Sequence, residues 1–147
     1  MSVRLSGPPP RARGSRLDTR LLRRRAQRVL CSLECAGSEL SLSLADDREI
    51  AELNRRYRGI AGPTDVLSFS LLEGEGAEHR GRLLGDVVIG IETAAHQARE
   101  RHRGLDAQVA RLLIHGVLHL LGHDHEEPDA ARVMRAEERR IWRALQA

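Results

Sequence analysis

The chain has no lysine: all 24 of its basic residues are arginine. Lysine's absence carries no functional reading by itself, but arginine offers a planar fork suited to phosphate. Aromatic residues are almost as scarce, with one Phe, one Tyr and one Trp in 147 residues. The core must therefore be built from Leu, Val, Ile and Ala. A single-stranded nucleic-acid channel normally offers aromatics for stacking, so any such binding here leans on arginine–phosphate contacts, which are salt-sensitive and weakly sequence-selective. Only two cysteines occur, Cys31 and Cys35. Their spacing is neither a redox CxxC nor a disulfide framework. Four apart on one expected helix face, they read as reduced, partly buried thiols of a cytoplasmic protein. No apolar window is long enough to span a membrane, and no secretory hydrophobic segment follows Met1.

A chain of this length is expected to be one domain, residues 1–147, with a sizeable core. The net charge is only +3, but it is unevenly placed. Residues 1–30 hold nine arginines against the single acid Asp18, which is +8 and leaves −5 for the rest. An arginine-rich end on a mildly acidic body suggests a polyanion contact through residues 11–28. A solvated helix face or a disordered tail would look the same. A transit peptide is the less favoured reading, because residues 17–36 look helical and continuous with the fold.

Hydrophobic periodicity gives the elements. Residues 1–5 suit a short edge strand, and Gly7, Pro8, Pro9, Pro10 and Gly14 mark a loop or extended segment. Ser15 to about Ala36 reads as a helix with Leu17, Leu21, Leu22, Val29, Leu30 and Leu33 on its apolar side, stopped by Gly37. Glu39–Ala45 alternates as a half-buried strand. Asp46 or Asp47 can cap a helix running to about Tyr57. A loop over Gly59–Pro63 and a strand over Asp65–Ser70 follow. Residues 73–82 are polar and glycine-rich, hence a mobile loop. Leu83–Ile91 is an apolar strand. Helices are expected over Glu92–His102, Asp106–Leu121 and from Pro128 to about Leu145. Strands and helices mix without regular βα alternation, so the class is α+β.

The most informative segment is His115-Gly116-Val117-Leu118-His119-Leu120-Leu121-Gly122-His123-Asp124-His125, which holds four of the seven histidines. His115 and His119, four apart, share one helix face and can grip one metal ion. Gly122 can leave the helix with positive φ and return His125 to the same ion. His-x3-His-x5-His with that glycine is the spacing of a metzincin zinc site. The metzincin catalytic Glu is missing, because Gly116 stands in its place. Three imidazoles leave a tetrahedral position open, the pattern of a catalytic site. A closed structural site with His123 or Asp124 as fourth ligand is the alternative, and unrelated core or surface histidines are the bland one. Asp124 can orient a ligand imidazole or serve as a turn residue. His79, His96 and His102 read as surface histidines.

Residues 115–125 resemble the H-G-x-L-H-L-x-G-x-D-H signature of the YbeY family, bacterial metal-dependent endoribonucleases of ribosomal RNA maturation. His123 stands where that family often has tyrosine. Leu53-Asn54-Arg55-Arg56-Tyr57-Arg58 and Pro63-Thr64-Asp65-Val66-Leu67-Ser68-Phe69 resemble its L-N-x-x-Y-R and P-T-D-V-L-S-F patterns, and Leu84-Gly85-Asp86-Val87-Val88-Ile89 its L-G-D-I-x-I. Ser70 replaces a frequent proline. The likeness spans about residues 40–140 and says little of the arginine-rich region before residue 30. It implies a small mixed four-stranded sheet flanked by about five helices, with the metal site at a helix end. It also implies one Zn2+ per chain on His115, His119 and His125, and Arg58 as the catalytic cation. Asp124, Asp86, Thr64, Asp65 and Tyr57 are second-tier candidates around the cleft; for Asp86 a backbone-holding role is the favoured reading.

The function expected is a single-strand-specific, zinc-dependent endoribonuclease in ribosomal RNA processing, including small-subunit 3′ end maturation, and in ribosome quality control. Its partners would be ribosomal RNA, with small-subunit proteins and ribosome-assembly GTPases, and no membrane. A non-catalytic assembly factor with a structural zinc is the alternative. A metalloprotease is disfavoured by Gly116 and by the basic end.

Overall fold

The computed structural model of the chain describes residues 2–6, 11–12, 15–71 and 82–146. Its elements in chain order are β1 (Ser2–Ser6), β2 (Arg11–Ala12), β3 (Ser15–Arg16), α1 (Thr19–Ser32), β4 (Glu39–Ala45), α2 (Asp47–Arg58), β5 (Val66–Ser70), β6 (Leu83–Gly90), α3 (Ile91–Glu100), α4 (Leu105–Leu120) and α5 (Pro128–Gln146). Four strands form one mixed sheet in the order β1-β4-β6-β5, in which only the β5–β6 pair is antiparallel. The α+β expectation, with a mixed four-stranded sheet and five helices, holds, and β2 and β3 add a separate two-stranded ribbon. The predicted mobile loop at 73–82 falls mostly on residues 72–81, outside the described residues, as do most of residues 6–14.

The first helix differs from expectation at both ends. Ser15–Arg16 pair with Arg11–Ala12 as a small antiparallel ribbon, so the helix begins only at Thr19. Asp18 caps it, its Oδ1 accepting from Leu21 N at 3.0 Å. The helix also ends before Gly37. Glu34 takes the left-handed conformation at φ 60°, and Cys35 N–H returns to Leu30 O at 2.7 Å while Glu34 N–H reaches Cys31 O. This is a Schellman closure built on a non-glycine residue. Consequently Cys31 and Cys35 do not share a helix face. Cys31 is exposed and Cys35 lies beyond the helix, half-buried. Burial, with the Glu34 charge adding, pushes the Cys35 thiol above its usual range. The second cap was legible locally: Asp46 and Glu49 form a reciprocal capping box at α2.

The centre of the molecule is α4. Eleven of its sixteen residues are buried, enclosed by α1, α3, α5 and the β5–β6 side of the sheet. Each fully buried Leu or Ile there contributes about 1.5–3 kcal/mol. An exposed ion pair such as Arg55–Glu52 contributes about 0–1 kcal/mol. Stability therefore concentrates around this helix. On the opposite face of the sheet, Ile50 and Leu53 of α2 pack on Ala45, Leu67, Val88 and Phe69.

Two glycines set how closely the layers approach. A Cβ on Gly116 would lie 2.8 Å from Val87 Cγ1 and 3.1 Å from Ser68 Oγ. A Cβ on Gly85 would lie 2.3 Å from the Phe69 carbonyl and 2.8 Å from Leu120 Cδ2, at a backbone φ of +153°. The obstacle at Gly85 is the partner strand's backbone, which cannot yield without loosening the β5–β6 pairing. Replacing Gly85 by Ala is expected to cost about 3 kcal/mol. Gly37→Ala, where nothing lies within 4 Å, should change stability by less than about 0.5 kcal/mol. Urea unfolding of the two variants checks both.

Candidate metal centre

Because α4 is enclosed, only a narrow strip of it remains partly uncovered, and Arg111, His115 and His119 follow one another along that strip at four-residue intervals. The helix closes in a Schellman motif: Gly122 N–H bonds His119 O and His123 N–H bonds Leu118 O, each at 3.0 Å, with Gly122 at φ 94°. The chain reverses there and returns His125 to the histidines on the helix. The donor atoms of His115, His119 and His125 all lie within 4.8 Å of one another. His115 Nε2 and His119 Nε2 are 3.1 Å apart. Ligands about 2.0–2.1 Å from a tetrahedral zinc are separated by about 3.3 Å, so this donor set fits a small divalent ion. Burial, reinforced by the neighbouring His115 and His125, holds the His119 imidazole below its usual pKa. The neutral form that a metal needs is thereby favoured.

Among the described residues the cluster has three members. Asp124, one of the expected fourth ligands, instead accepts from Glu126 N at 3.0 Å, an Asx turn that holds the returning chain. His123 is not in the cluster. The triad opens on a cavity of about 740 Å³, also lined by Tyr57, Arg58, Thr64, Asp65, Asp124 and the β5 residues Val66–Ser70. Arg58 is the last residue of α2, exposed and without an ion pair among the described residues. Arg58 and Asp65, which line the same cavity, do not form an ion pair. Tyr57 is 60% exposed at the rim, its ring edge-on to Phe69 at 5.1 Å.

Asp65 is committed elsewhere. Its Oδ1 accepts from Val66 N at 2.7 Å and its Oδ2 from Gln97 Nε2 at 3.1 Å. Gln97 in turn accepts from Gln108, and Gln108 accepts from Arg103. With Gln108 fully buried, this chain of amides ties the cavity wall to α3 and α4. Thr64 donates to Asp65 at 3.5 Å. Asp86 does not reach the cavity. It sits between Ser41 and Phe69 in the sheet, on the strand face opposite Val87, which meets α4 at Gly116. His96 and His102 are exposed, His96 pairing with Glu100 at 3.1 Å. His79 lies outside the described residues.

Gly116 explains the missing general base in packing terms. The position after His115 points at the sheet, so no glutamate side chain fits there. Two carboxylates near the triad were not foreseen: Glu126, which lines the cavity, and Glu138. Glu138 of α5 lies 3.5 Å from His115 Nδ1, the nitrogen left over when Nε2 faces the ion. A carboxylate on that second nitrogen fixes tautomer and ring orientation. No local signal marks Glu138, since it meets His115 only through the packing of α5 on α4. Two arginines of the basic N-terminal region are also structural: Arg23 donates to Val3 O and Arg25 to Asp106 O. None of the described residues before Tyr57 lines the cavity.

The family described as Endoribonuclease YbeY matches residues 12–146 of the chain. An endoribonuclease YbeY of Anaeromyxobacter sp. (strain Fw109-5) is 49% identical over 144 residues, covering 98% of this chain and 72% of that protein. One from Syntrophotalea carbinolica is 44% identical over 135 residues, covering 90% and 89%. The solution structure of TM1509 from Thermotoga maritima is similar with a TM-score of 0.65 at 26% identity, over 97% of this chain and 88% of that one.

Replacing Glu138 by Ala is expected to weaken metal affinity by about 10–100-fold with the fold intact. Competition against a chromogenic chelator measures it, and unchanged affinity removes Glu138 from the site.

Proposed function

The chain belongs to the endoribonuclease YbeY family, and from that premise we propose that it is a zinc-dependent endoribonuclease of single-stranded RNA, a single domain acting in the cytoplasm on ribosomal RNA. The observation that carries the reading is that three imidazoles and an unpaired arginine line one open cavity. An ion there would supply Lewis acidity toward a phosphoryl oxygen and make a nearby water more acidic. Imidazole donors suit zinc.

The chain's own residues do the rest. His115, His119 and His125 present their ring nitrogens from a helix and its closing turn. Arg58 directs its guanidinium at the non-bridging phosphate oxygens, whose charge grows as the pentavalent transition state forms. With no carboxylate partner among the described residues, that charge is available. Tyr57 offers a face at the rim on which an unpaired base can stack, which favours single strands. Ser68 and Ser70 donate to helix carbonyls and so shape the floor rather than bind substrate.

Processing of ribosomal RNA, including the small-subunit 3′ end, and ribosome quality control are the cellular roles proposed. Small-subunit proteins and assembly GTPases would supply the sequence selectivity that arginine contacts lack. A protease reading loses its remaining ground because no base can stand at Gly116. The assembly-factor alternative, with the ion as a staple, is separated by variants.

Metal analysis and cleavage of a labelled single-stranded ribosomal RNA fragment test the proposal, on protein purified away from host nucleases. Wild type should hold one zinc and cut. His119→Ala should lose both metal and cutting. Arg58→Glu should keep the metal and lose about 10²–10³ in rate. Equal cutting by all three would assign the activity to contamination, and a metal-loaded wild type that does not cut favours the staple.

A further inference from the structure

A second cavity, of about 610 Å³, lies between α4 and α5 on the other side of His115. Four arginines line it: Arg111 from α4, and Arg135, Arg139 and Arg143 along one face of α5. Their neighbours on α5 are neutralised, Arg132 by Asp129 and Arg140 by Glu137. The four pair with no carboxylate among the described residues. Glu138 is the one acid lining the cleft, and it lies against His115. The chain's only tryptophan, Trp142, forms part of the wall, with the Arg111 guanidinium stacked 4.2 Å over its ring.

We propose that this cleft is a second RNA-binding site, which holds the sugar-phosphate backbone of a single strand as it runs from the metal centre across α4 and α5. Three observations favour RNA over other polyanions. Arginine forks without a carboxylate partner among the described residues suit phosphate oxygens, Arg143 spending only its Nε on the Arg139 carbonyl. A guanidinium already stacked on an indole makes a planar ledge on which a base can extend the stack. The cleft also adjoins the metal centre: Arg111 and His115 are one helical turn apart on the uncovered strip of α4, about 6 Å along the axis, and Glu138, which lines the cleft, lies 3.5 Å from His115 Nδ1. With Arg58 on one flank of the triad and the four arginines on the other, a strand would be held on both sides of the bond to be cut. The inference rests on the endoribonuclease reading for its ligand but concerns binding, not cleavage.

Trp142 makes the test direct, because as the only tryptophan it reports from inside the cleft. Zinc-loaded full-length protein is titrated with a single-stranded oligoribonucleotide carrying phosphorothioate linkages to slow cutting. Tryptophan fluorescence and the anisotropy of an end label are followed from 50 to 200 mM salt. Binding in the cleft changes Trp142 fluorescence with the same midpoint as the anisotropy. In the R135Q/R139Q/R143Q variant affinity falls about tenfold or more, and the log–log salt slope becomes shallower by about 2, from roughly 0.7 per lost phosphate contact. Far-UV circular dichroism and zinc content verify that this variant is folded. If it is not, R139Q alone is used, with a slope change of about 0.7. RNA that raises anisotropy with no change at Trp142 and an unaltered slope in the variant overturns the proposal. So does a poly-glutamate peptide that alters Trp142 fluorescence at lower concentration than RNA does, since the cleft then serves an acidic protein. Because neither readout is cutting, failure here is distinct from failure of the Arg58 prediction.

Discussion

Everything at the metal centre depends on how tightly α4 seats on the β5–β6 edge of the sheet. Gly116 removes the side chain that would meet Val87. Gly85 does the same where β6 passes Phe69 and Leu120. Ser68 and Ser70 then donate across the gap to Gly116 O and Leu120 O, at 2.9 and 3.0 Å. The second of these carbonyls belongs to the helix's last turn, where carbonyls have no partner within the helix. The same contact brings the β5 strand under His115 and His119 as the floor of the cavity. A bulkier residue at either glycine would tilt the helix, and both ring nitrogens would move with it.

The cavity is assembled from segments distant in sequence, and each is held by its own device. The end of α2 supplies Tyr57 and Arg58. Asn54, buried one turn earlier, donates to Gly62 O at 2.9 Å and so braces the loop that carries Thr64 and Asp65. The amide chain through Gln97 and Gln108 fixes Asp65 from behind. Its members are neutral apart from the two ends, which avoids the cost of burying lone charges. The turn after α4 is tied at Gly122, His123 and Asp124. Arg58, Tyr57 and His125 are exposed members of the site. Firm support beneath exposed contacts is what positioning a reacting group requires.

Charge is distributed with comparable economy. The basic region before residue 30 is partly structural, because two of its arginines satisfy backbone carbonyls. The arginines that flank the triad without a carboxylate partner among the described residues come from the end of α2 and from α4 and α5. The reading of an N-terminal polyanion contact rests on the densest run of arginines in the sequence, whereas the cleft takes Arg111 from α4 and Arg135, Arg139 and Arg143 from one face of α5. Composition counts charges; only packing shows which of them have been neutralised.

The sequence by itself determined the elements and the metal-ligand pattern. Period-2 and period-3.6 apolar spacing are local properties, as are the Asp46–Glu49 box and the His-x3-His-x5-His spacing with Gly122. Such features need no knowledge of what packs where, and the family likeness of residues 53–58, 63–69, 84–89 and 115–125 rests on them. Helix ends closed by unexpected residues, Glu34 and His102 in the left-handed conformation, escaped because glycine is the usual signal there. The tertiary structure alone decided that Glu138 meets His115, that Asp86 faces away, that Asp65 binds Gln97 and not Arg58, and that Gly116 faces the sheet. Each of these depends on which faces of two elements meet. That choice is set by burying apolar surface over the whole core, a sum to which every element contributes and which no single segment reveals.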